Sequence, residues 1–217
     1  VRCAVRRAAG AATGSIVVLS TGHDRTMLVD RGANGLLTAA DVAPAVAAAR
    51  HVHVSGYTFF DPRTRPAALA ALRAAVATGA TTSVDAASAA PLRSVGGPAF
   101  IQWIRPTDLL FANADEAVAL LESPPGPMEP PAERLAAAVD GGPPAERLAA
   151  AVDGGPLAAR LAAAVGGAAV VKCGAAGAVW SGGGEALAAP GVPATVVDPT
   201  GAGDAFAAGY LAASVEG

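Results

Sequence analysis

The stretch VVDPTGAGDAFAAGYLAA, Val196 to Ala213, decides how the rest of the chain is read. Val196 and Val197 read as the end of a strand. Gly201 and Gly203 follow in a tight turn. From Ala205 the residues favour a helix, with Phe206 and Tyr210 four apart on one core-facing side. A glycine turn before a helix gathers backbone N–H groups at the helix amino end. Those groups lack intrahelical partners, and the helix dipole is positive there, so the turn suits an anion. Small residues at Gly201, Ala202 and Gly203 let a phosphate approach the backbone closely. Asp204 falls in the first helical turn, where an acidic residue can simply complement the dipole. Beside an anion site it can also accept a proton from an attacking hydroxyl.

Other phosphate motifs fit poorly. A Walker loop needs GxxxxGK followed by Ser or Thr, and the chain has none. A GxGxxG fingerprint would need glycine where Phe206 stands.

Working upstream, strand-like and helix-like stretches alternate. Ser15–Leu19 and Thr26–Asp30 read as a hairpin around STGHDR, followed by a linker containing RGANG. His51–Gly56 reads as a strand and Pro66–Thr78 as a helix stopped by Gly79. Ala80–Asp85 and Asp108–Asn113 read as buried strands, with PAFIQWI a short helix between them. Glu116–Leu121 opens another helix, and Ala168–Gly174 is strand-like. Ala194–Val197 is expected to be a last strand and Ala205–Val215 a last helix. Such alternation predicts an α/β fold with a mainly parallel sheet.

Composition narrows the function classes. Of 217 residues 58 are alanine, so the 53% hydrophobic content overstates the share of large apolar side chains. The net charge is −3, with no basic block, which argues against a nucleic-acid partner. No uninterrupted apolar run reaches the roughly 18 residues of a membrane span. The first residues, VRCAVRRAAG, do not read as a secretory signal. Cys3 and Cys173 lie far apart and outside any CxxC spacing, so a reduced cytoplasm is expected. Cys173 reads as a small buried hydrophobe. His51 and His53 share one face of a strand without an evident third metal ligand. Trp103 and Trp180 read as core or edge packing.

One segment repeats. PAERLAAAVDGGP occupies Pro131–Pro143 and recurs unchanged over Pro144–Pro156. A worn third copy, PLAARLAAAVGG, runs over Pro156–Gly167. Each unit reads as a short helix with Pro near its start and Gly-Gly at its end. Units this short do not make a solenoid. Residues 123–167 are therefore expected to be a tandem duplication within a surface loop, with two adjacent copies redundant.

The ordered motifs carry a resemblance. DPTGAGD (198–204), NADE (113–116) and VVKCGAAG (170–177) together resemble the ribokinase-like, or PfkB, family of carbohydrate kinases. DRTMLVDRGAN (24–34) and HVSGY (53–57) resemble that family's upstream hairpin and strand. The resemblance implies a three-layer α/β sandwich with a mainly parallel sheet, incomplete, as one partial domain over 1–217. It implies ATP and Mg2+ as cofactors and phosphorylation of a hydroxyl on a sugar or nucleoside. Asp204 would be the general base, and Gly201, Ala202 and Gly203 the anion hole. Asn113 and Glu116 would organise magnesium and phosphates, largely through water. Lys172, Gly174 and Gly177 would line the nucleotide side, with Asp198 in support. Taken alone, Asn113 and Glu116 also fit a helix cap, and Lys172 a solvated strand end. Arg25 and Asn34 have substrate-reaching or plain hairpin and turn roles open to them. The resemblance also implies further elements at both ends that would complete the sugar and adenine pockets. A non-catalytic remnant that binds nucleotide is the alternative; a homodimer is compatible with either.

Overall fold

The computed structural model describes residues 5–21, 24–105, 107–122 and 154–216. The first repeat copy, Pro131–Pro143, and most of the second lie outside them. Two strands stand apart as an antiparallel ribbon, β1 (Ser15–Thr21) and β2 (Asp24–Asp30). A six-stranded sheet follows in strict chain order: β3 (His51–Ser55), β4 (Thr81–Asp85), β5 (Leu109–Asn113), β6 (Ala168–Lys172), β7 (Ala178–Gly182) and β8 (Glu185–Ala189). β3 to β6 are parallel; β7 pairs antiparallel with β6, and β8 antiparallel with β7. Successive right-handed crossovers in one direction put all their helices on one face.

On that face lie α1 (Ala39–Val46), which precedes β3, and the crossover helices α2 (Tyr57–Phe60), α3 (Arg65–Thr78), α4 (Ala89–Val95), α5 (Gly97–Ile104), α6 (Ala114–Leu121) and α7 (Gly154–Val165). Their apolar residues close the main core with Val52, Val54, Val84, Leu110 and Val171. α8 (Ala202–Glu216) lies on the opposite face and makes the third layer. It rests Ala207 among Leu109, Phe111, Val170 and Ala178. Phe111 meets Phe206 and Tyr210 edge-on, with centroids 6.5 and 5.4 Å away. Tyr210 is half-buried, while Phe206 keeps much of its ring in solvent, so it faces the core only in part.

Several expectations change. Ala194–Val197 forms no strand; Val197 is 96% exposed. A short apolar run needs a neighbour to satisfy its backbone, and β8 takes the position beside β7 instead. The β7–β8 hairpin was not anticipated, although its turn glycines, Gly183 and Gly184, both have the positive φ such a turn requires. α1 occupies part of what reads as linker, and α4 precedes the expected α5.

The third repeat copy is not peripheral. Leu157, Ala158, Leu161, Ala162 and Val165 of α7 are buried in the main core. Gly166 (φ +75°) stops the helix, and Gly167 sits against the Asp108 carbonyl, where a Cβ would come within 2.7 Å. The surface-loop reading of 123–167 therefore does not hold for Gly154–Gly167. Leu161→Ala should cost about 2–5 kcal/mol in chemical unfolding, because Leu161 is fully buried.

Candidate active site

Alternation along the strands places polar side chains on the α8 face at the carboxyl ends of the parallel strands. Ser55 pairs in register with Asp85, and Asn113 with Lys172. Carboxyl ends of such sheets are where α/β proteins gather ligands. The amino end of α8 comes to this same edge.

Lys172 is not a solvated strand end. Its Nζ donates to Asp85 Oδ2 at 2.7 Å, and the two side chains are only 14% and 11% exposed. A Cβ built on Gly203 would lie 3.2 Å from that Nζ, so the ammonium abuts the first turn of α8. A Cβ on Gly201 (φ +78°) would meet nothing within 4 Å. The turn therefore has open space beside a cation and a helix amino end. These features fit a phosphate group.

Asn113 caps α6. Its side chain accepts from the Glu116 N–H, while Glu116 Oε2 accepts from the Asn113 N–H, at 2.9 and 2.8 Å. Glu116 Oε1 also accepts from Asn113 Nδ2 at 2.9 Å. The pair forms a closed capping box. Both carboxylate oxygens already have donors, so these residues suit a hydrated magnesium ion rather than direct ligation. Burial pushes the Glu116 carboxyl up to about 7; the Asn113 N–H and Lys172 pull it down, and Asp85 and Asp115 push it up.

Asp204 is exposed in the first turn of α8. Asp198 Oδ1 accepts from the Thr200 N–H at 2.8 Å and shapes the approach to the turn. Gly174 and Gly177 bound a 3-10 turn that follows Lys172 and Cys173. Gly177 (φ +101°) packs against the Ala189 carbonyl, which leaves no room for a Cβ. Of Arg25 the structure describes the backbone, in β2, and not the side chain.

Two groups at this edge were not singled out from the sequence as site residues. Asp85 ends a strand-like run, and nothing nearby marks it, because its partner is 87 residues away. His53 Nδ1 and His51 Nε2 both contact Ser83 Oγ at 2.7 Å. Burial holds the His53 pKa below the usual imidazole value, against the pull of Asp85 and Asp204 and with the push of Lys172. No cluster of three or more His, Cys, Asp or Glu suited to a metal ion occurs among the described residues.

Glu116 gives a stability signature. Its folded pKa lies above its unfolded value, so the unfolded chain releases its proton first as pH rises. Folding stability should fall between about pH 4.5 and 7, by at most about 1.4 kcal/mol per pH unit from this group. Urea melts across that range should show the decline, and Glu116→Gln should flatten it.

The chain matches the pfkB family carbohydrate kinase model over residues 1–217. No curated protein matches it by sequence. Among solved structures it is similar to adenosine kinase from Sinorhizobium meliloti, with 26% identity and a TM-score of 0.72, covering 96% of this chain and 56% of that one. It is also similar to a probable sugar kinase from Rhizobium etli CFN 42, with 27% identity and a TM-score of 0.69, covering 92% and 53%. A putative ribokinase II from E. coli, solved with ATP and Mg2+, shares the fold at 23% identity and a TM-score of 0.66, covering 96% and 59%. The chain thus spans a little over half the length of these neighbours. With the glycine turn, the capped NADE helix and the strand-end lysine gathered at one sheet edge, the chain belongs to the pfkB family of carbohydrate kinases.

Proposed function

We propose that this chain carries the phosphoryl-transfer edge of an ATP-dependent kinase acting on a hydroxyl of a sugar or nucleoside. The observation that supports it most is Lys172 Nζ lodged against the first turn of α8, the helix that bears Asp204. Gly201 and Gly203 would offer N–H groups to the transferring phosphoryl oxygens, and the Ala202 N–H, which donates to the Pro199 carbonyl at 3.2 Å, would join them only by leaving that partner. Asp204 would take the proton of the acceptor hydroxyl. The acceptor oxygen then bonds to the γ-phosphorus, the bond to the β–γ bridging oxygen breaks, and ADP leaves with that electron pair. Magnesium, when bound, would neutralise charge on the β- and γ-phosphates, and Asn113 and Glu116 would hold its water shell. Lys172, with the Gly174–Gly177 turn and Asp198, would orient the nucleotide phosphates.

The sugar and nucleoside alternatives share this chemistry. Similarity to an adenosine kinase and to a probable sugar kinase, at nearly equal identity, keeps both. A cytoplasmic location fits an ATP-using reaction. A homodimer is supported by the β1–β2 ribbon, which exposes Ile16, Val17, Val18, Leu28 and Val29 across both faces.

ADP release by the chain should be followed with Mg-ATP and a panel of sugars and nucleosides. Asp204→Asn should lower acceptor-dependent release by at least about 100-fold. Equal turnover in the variant would remove Asp204 from the mechanism. Nucleotide binding with no release from a folded chain would favour the non-catalytic reading.

A further inference from the structure

The Asp85–Lys172 pair is asymmetric. Asp85 Oδ1 accepts from the Ala87 N–H at 2.9 Å, and Ala87 has φ +74°, the sole positive φ of a non-glycine residue among the described residues. The carboxylate is thus clamped by its own turn. Lys172, by contrast, is a point charge on a flexible four-carbon stem. That charge sits against the amino end of α8, where the helix dipole repels a cation. Asp85 supplies the direct counter-charge at 2.7 Å, and Glu116 acts on the same ammonium at longer range.

We propose that Asp85 is a positioning residue that holds Lys172 in reserve. It pairs with the ammonium until a polyphosphate reaches the turn at 201–203, and Lys172 then moves onto that anion. Asp85 competes with every incoming anion, so a polyphosphate displaces it more readily than a singly charged group does. This rests on the nucleotide-phosphate reading above.

The sign of one effect separates this role from others. The probes are ADP and inorganic tripolyphosphate, both without metal, measured by calorimetry on the full 217-residue chain. Asp85→Asn keeps a carbonyl oxygen for the Ala87 N–H and removes the competing charge. It should tighten both probes by roughly three- to tenfold. Lys172→Met should weaken them, and the double variant should match Lys172→Met alone. A purely structural Asp85 would instead weaken binding when changed, and a metal ligand would leave metal-free binding unaltered; either result overturns the inference. Thermal melts check that each variant folds. Should Asp85→Asn not fold, unchanged metal-free binding by Lys172→Met overturns it just as directly. Absence of binding by the unaltered chain would instead overturn the nucleotide site itself.

Discussion

A lysine ammonium beside the amino end of a helix is electrostatically uphill unless anions surround it. Lys172 is in that position, and much of the sheet edge is arranged around it. Asp85 answers it directly across β5, and the Glu116 carboxyl interacts with it from the start of α6. None of these groups is close to another in sequence except through the sheet. Parallel pairing brings their strand ends to one edge, and the two-residue period of a strand keeps their side chains on one face.

The two faces of the sheet are built differently. The helical face is closed by many apolar residues from α1 to α7, including Phe59, Phe100 and Leu161 with no exposure. The opposite face divides into a polar half and an apolar half. His51, His53, Thr81 and Ser83 form the polar half, bonded to one another. Leu109, Phe111 and Val170 form the apolar half under α8. Phe111 joins the two: its ring meets His53 at 6.0 Å and Tyr210 at 5.4 Å. The first half of α8 is therefore seated on Phe111, a ring carried by β5 itself.

RLAAAV occurs three times, and its last occurrence supplies the buried Leu161, Ala162 and Val165. An amphipathic hexamer carries no information about which copy meets the sheet. What distinguishes the last copy is its attachment: Gly166 and Gly167 lead straight into β6, and Gly167 is held against the start of β5.

By itself, the sequence determined the alternation of strands and helices, the Asn113–Glu116 cap and the glycine turn before the last helix. Each is a local pattern whose signal lies within a few residues. It missed the β7–β8 hairpin and α1, where alanine and glycine dilute the periodicity. It over-read Ala194–Val197, because apolarity does not reveal whether a neighbouring strand exists. The partnership of Asp85 with Lys172, the core seat of α7 and the contact of Lys172 with α8 were decided only by the tertiary structure. These depend on charges and side chains distant in the chain, and only the parallel sheet brings them within bonding distance.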